Sequence, residues 1–105
     1  MTQSEILNRS AEISKALAGA TAGTSMGKPI YQFKKKTFVF LDKDKGNIIV
    51  RTSNEELERQ LNEPGYFKPP FCSKKTPWIG IELGKTNLSV VEALIQRSYD
   101  IVTTK

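Results

Sequence analysis

The sequence predicts an α+β fold in which one antiparallel sheet packs against helices, in the order α-β-β-β-α-β-β-α. Three observations predict it. Ser/Thr-x-x-Glu boxes at Thr2–Glu5, Ser53–Glu56 and Ser89–Glu92 mark three helix starts, because each pair satisfies free backbone amides of a first turn. Four segments are rich in β-branched and aromatic residues, as strands are: Ile30–Phe33, Thr37–Leu41, Asn47–Arg51 and Trp78–Leu83. The links within the first three are short, which makes them an antiparallel meander.

The first helix runs from Gln3 to about Leu17. Ile6, Ile13 and Leu17 share a face, with Leu7 at its edge. Gly19, Gly23 and Gly27 then punctuate a small-residue connection that no helix would tolerate well. In the meander, Lys34-Lys35 makes the first turn. Asp42-Lys43-Asp44-Lys45-Gly46 makes the second, with Gly46 supplying a positive φ. Phe38 and Phe40 oppose Val39 and Leu41, so this strand is apolar on both faces; it is central, or its outer face meets something. A short helix follows, with Leu57 and Leu61 on one face and Pro64-Gly65 as its stop. Phe67–Cys72 reads as a weaker strand. Pro69 and Pro70 cannot donate ladder hydrogen bonds, which confines it to a sheet edge. After the Trp78 strand, the last helix is expected to begin near Ser89 and to bury Val91, Leu94, Ile95, Ser98 and Val102.

A chain of 105 residues is expected to form one domain, residues 1–105, without repeats or linkers. Its one cysteine, Cys72, allows no intrachain disulfide, which suits a reducing compartment. The N-terminus does not read as a signal peptide, and no apolar run is long enough to span a membrane, so the expected location is the cytoplasm. The net charge of +5 is unevenly spread. Residues 34–51 carry six basic and two acidic groups, 52–65 one basic and four acidic, and 66–85 four basic and one acidic. That distribution predicts a basic surface beside an acidic helix.

Chemistry is sparse. The sequence has no histidine, so Ser-His and Cys-His nucleophile pairs are missing and zinc would lack ligands. Cys72 beside Lys74 and Lys75 reads as a small packing residue. Asp42-x-Asp44-x-Gly46 begins like a calcium loop, but its glycine falls one place early and Ser53 stands where a glutamate is required. Gly84-Lys85-Thr86 lacks the first glycine of a phosphate loop at the required spacing. No enzyme activity, cofactor or metal is expected.

The basic turns are more informative. Lys34, Lys35 and Lys36 are consecutive at one turn, and Lys74 and Lys75 lie in another, neither with an adjacent acid. Lys43 and Lys45 alternate with Asp42 and Asp44 and are locally neutral. The 34–36 and 42–46 turns sit at opposite ends of one strand, about 20 Å apart at ~3.4 Å per residue. The pairing to expect is therefore 34–36 with 74–75, if both turns project from one end. By alternation Trp78 shares a face with Gly80 and Glu82, opposite Ile79, Ile81 and Leu83. It is expected to be at least partly accessible, as a stacking surface for a base. The competing arrangement has Phe71 or Pro70 covering it.

The stretch Pro64-Gly65-Tyr66-Phe67, the strand opening on Trp78, and the final Ser98-Tyr99 resemble the YjbR/MmcQ family. Gly27-Lys28-Pro29 and Lys36-Thr37-Phe38-Val39-Phe40 fit the same pattern, so the resemblance covers nearly the whole chain. It implies a fold like that of secretion chaperones and frataxin-like proteins. It also implies a double-wing arrangement predicted to bind DNA, with hairpins as wings. On this reading Lys34, Lys35, Lys36, Lys74 and Lys75 contact phosphate, and Trp78 or Tyr66 supplies stacking. Binding would be weak and non-specific, since phosphate contacts carry no sequence information, and the protein a monomer. The alternative is a protein-interaction module using the outer sheet face or an edge strand.

Overall fold

The computed structural model describes residues 2–104. Helix α1 spans Gln3–Ala16, and its capping box forms as the sequence predicts: Thr2 Oγ1 accepts from the Glu5 N–H, and Glu5 Oε1 accepts from the Thr2 N–H. Four strands follow, β1 (Ala20–Ser25), β2 (Lys28–Phe33), β3 (Lys36–Asp42) and β4 (Asn47–Arg51). Then come α2 (Asn54–Gln60), β5 (Tyr66–Phe67), β6 (Trp78–Glu82), a 3-10 turn (Leu83–Lys85) and α3 (Leu88–Thr103). The strands make one antiparallel sheet in the order β1-β2-β3-β4-β6-β5.

The α+β class holds, with β3 central, and three local expectations are corrected. The glycine-punctuated connection is strand β1, paired with β2 over six rungs from Ala20↔Phe33 to Ser25↔Lys28. Its small side chains show no hydrophobic alternation; the backbone of β2 and the tight turn at Met26-Gly27 impose the ladder. The strand expected over Phe67–Cys72 shrinks to Tyr66–Phe67, because the prolines end the pairing there, and it does lie at the edge. Helix α3 starts one residue before Ser89. Its cap is Asn87, whose side-chain oxygen accepts from the Val90 N–H at 3.1 Å.

Register sorts the sheet into two faces. Val39, Leu41, Ile48, Val50, Ile79 and Ile81 point one way, onto Ile6, Leu7, Leu57, Val91, Ile95 and Val102 of the helices. All three helices therefore cover one face, and this is the core. A β-bulge between Tyr31 and Gln32 turns Phe38 onto the same side, where its ring meets Tyr99 edge-on at 5.6 Å. Ser98 secures that irregular point. Its hydroxyl donates to the Phe38 carbonyl at 2.5 Å and accepts from the Arg51 N–H at 2.8 Å, tying α3 to β3 and β4. Two further buried apolar residues, Ile30 and Trp78, lie outside this core, on the face without helices.

Candidate nucleic-acid interface

Strand direction decides which turns meet. β2 leads into the Lys34-Lys35 turn and β3 leads out at Lys36, while β4 runs up to Arg51 and β6 starts opposite it at Trp78. The 34–36 turn, the end of β4 and the start of β6 are therefore at one end of the sheet. Lys74 and Lys75 precede Trp78 and lie at that same end. The lateral step from β3 to β6 is two strands, roughly 10 Å. The 42–46 turn is at the opposite end, as expected from the sequence.

Each lysine turn is built locally. Phe33 pairs with Lys36, leaving a two-residue loop in which Lys34 and Lys35 both take left-handed φ, 48° and 69°. That is the twist a two-residue hairpin requires, though glycine or asparagine meets it with less strain. Lys34 Nζ stands 5.5 Å from the centre of the Phe33 ring. Lys74 and Lys75 are central in a turn closed by Ser73 and Thr76: the Ser73 N–H donates to the Thr76 carbonyl, and the Thr76 N–H donates to Ser73 Oγ. Asn54, opening α2, anchors it by donating to the Lys74 carbonyl at 3.1 Å. All five lysines are exposed, and among the described residues none is in an ion pair.

Four other cations are engaged in ion pairs. Lys28 is 2.8 Å from Asp42, Lys85 pairs with Glu82, Arg97 with Glu56 and Arg9 with Glu12. Asp42 is not a metal ligand in waiting. Burial pushes its carboxyl up, but Lys28 and the Lys45 N–H together outweigh burial and hold it below its ordinary value. Lys85, in the would-be phosphate loop, is likewise held by Glu82 at 3.2 Å. Clefts of about 330 Å³ beside α1 and α2 are lined by Arg9, Glu12 and Glu92 and by Glu56, Arg59 and Glu63, well supplied with acids.

Trp78 is corrected. Alternation places it rightly on the outer face, but it is 6% exposed. The loop from 68 to 77 folds back and lays Phe71 on it, ring centres 5.5 Å apart, and Phe40 closes a second side at 5.5 Å. Arg51 covers more, its guanidinium carbon 5.1 Å from the ring centre while Nε donates to the Thr37 carbonyl. Burial lowers the Arg51 pKa, yet the guanidinium stays charged. Glycine at 80 leaves space that the Phe67 ring fills from β5. Trp78 is therefore a packing residue, as in the competing arrangement. Tyr66 pairs with Ile81 on the helix side and packs against the core, so it offers no stacking surface beside the lysines. Cys72 accepts from the Trp78 N–H at 3.3 Å and packs against the core.

Two residues belong to this end that the charge pattern did not single out. Arg51 could have been found by alternation, which puts it on the same face as Trp78. Phe71, 39% exposed, carried no signal of exposure, because its position depends on how its loop folds.

Fold and site together define a small α+β domain, with helices on one sheet face and a lysine-bearing end bounded by two turns. The chain belongs to the YjbR family, whose model matches residues 15–101. A Deinococcus radiodurans protein with a domain described as DUF419 superposes with a TM-score of 0.78 at 16% identity, over 94% of this chain and 79% of that one. A Pseudomonas syringae protein superposes with a TM-score of 0.73 at 12% identity, over 97% and 99%. At such identities the likeness is one of fold. The comparison with curated proteins gave no match. Ser98, Tyr99 and Trp78 all serve the fold here; Tyr99 donates to the Ala18 carbonyl and packs edge-on against Phe33 and Phe38.

Proposed function

We propose that this chain is a non-enzymatic, cytoplasmic DNA-binding domain of the double-wing type, acting as a monomer. Lys34, Lys35 and Lys36 form one wing, and Lys74 and Lys75 the other. The observation that carries the reading is that the two acid-free lysine turns share one end of the sheet, with Arg51 between them, while the opposite end holds the neutralised Lys28–Asp42 pair. The absence of histidine from the sequence supports a binding role over an enzymatic one.

Titration with duplex DNA at low salt tests this. With about four phosphates neutralised, log K falls with log salt at a slope near −3.6. Glutamate at positions 34–36 weakens binding uniformly across sequences, whereas glutamate at 43 and 45 does much less. Absence of binding at tens of micromolar would end the reading. A second reading has its own observation: the outer sheet face, with Phe40 and Ile49 part-exposed, carries no helix, and the β1 edge is unpaired. A protein partner docking there would bind almost independently of salt.

A further inference from the structure

Resting on the nucleic-acid reading, we infer that the preferred ligand is a single strand, with one base stacked on Phe71. Phe71 is 39% exposed although it is a large apolar side chain. It stands in the 68–77 loop with Lys68, Lys74 and Lys75, all exposed. It does not swing free. Its ring rests on Phe40 at 5.2 Å and on Trp78 at 5.5 Å, and Arg51 lies over Trp78 from the strand beside it. An immobilised aromatic ring among unpaired cations complements a chain that is anionic along its backbone and carries flat apolar faces. Single-stranded nucleic acid has that chemistry. A duplex hides its base faces in its own stack, and could use the lysines only.

The placement fits. Lysines precede and follow Phe71 in its loop, at 68 and at 74–75, and the 34–36 turn lies at the same sheet end. A strand crossing that end could set phosphates on both turns and one base between them. A fixed ring also loses less conformational freedom on binding than a mobile one.

The test uses the whole chain, a dT12 oligonucleotide and a 12-base-pair duplex at equal salt. Trp78 is the only tryptophan, and its contact with Phe71 makes its fluorescence a reporter of stacking. The expected result is a change in Trp78 emission with dT12, and at least about 10-fold tighter binding of dT12 than of the duplex. Phe71→Leu keeps an apolar side chain on Phe40 and Trp78 but removes the ring. It should collapse that preference by about 10-fold, the weight of one base–aromatic stack, while Phe71→Tyr keeps it. Equal binding of both nucleic acids, or a preference that survives Phe71→Leu, overturns the inference and leaves the proposed function standing. Failure to bind either overturns both. A change in Trp78 emission that follows protein concentration without oligonucleotide would assign the face to a second copy and overturn the inference too.

Discussion

At the scale of single residues, a buried hydroxyl adds a directed tie between the sheet and α3 to the apolar core. Ser98 is fully buried and serves two backbone groups at the bulge. Ser98→Ala would leave the Phe38 carbonyl and the Arg51 N–H without that partner, at a cost of about 1–3 kcal/mol. Urea unfolding should show a lower midpoint at unchanged slope; a midpoint equal to the parent's would mean the bulge does not need the hydroxyl. Asp42 makes a pH-dependent contribution. Its folded pKa lies below that of the unfolded chain, about 3.9, so its stabilisation is present above that pH and is lost as pH falls through the folded value. Melting curves from pH 7 to 2.5 should show the parent above Asp42→Asn at neutral pH and the gap narrowing below about pH 4. A constant gap would deny the carboxylate its role with Lys28.

At the scale of elements, α3 gives a discriminating test. Asn87→Ala should cost about 1 kcal/mol, since Asn87 caps the helix. Ser89→Ala should stay within about 0.5 kcal/mol. The reverse order would restore the start expected from Ser89 and Glu92. Both candidates fit the local sequence, and only the path of the chain out of the 3-10 turn at Leu83–Lys85 chooses between them. Elsewhere the sequence was legible where side-chain period and backbone agreed. α1, β2, β3, β4, α2 and β6 were visible because caps and alternation state them locally. β1 was not, because Ala20-Thr21-Ala22-Gly23-Thr24-Ser25 has no apolar period and owes its conformation to its neighbour. The lysine end was legible because hairpins reverse direction predictably. The cover over Trp78 was not settled, since a ten-residue loop can lie on a sheet or leave it.

At the scale of the molecule, the sheet has two faces, two ends and two edges, and each pair is unequal. One face is core and the other carries only the 68–77 loop. One end carries the five lysines of the two turns, and the other holds the Lys28–Asp42 pair. The β5 edge is two residues long and followed by prolines, a form that resists strand addition, whereas β1 is six residues without a charge. No helix among the described residues is long and apolar enough to cross a membrane. Net charge and its placement, more than any cleft, distinguish this surface.

The two lysines held at left-handed φ set folding against function. Such a conformation costs an L-residue with a Cβ about 1–2 kcal/mol, and a turn selected for folding alone would carry Asn-Gly there. The combined variant Lys34→Asn and Lys35→Gly should therefore melt higher than the parent, by about 1–3 kcal/mol in unfolding free energy, and bind nucleic acid more weakly. A variant that gains stability and keeps its binding would show the cations at the turn to be dispensable. One that gains no stability would show that the hairpin accommodates lysine without strain. If both effects appear together, thermal selection on this protein would erode its ligand binding at this turn.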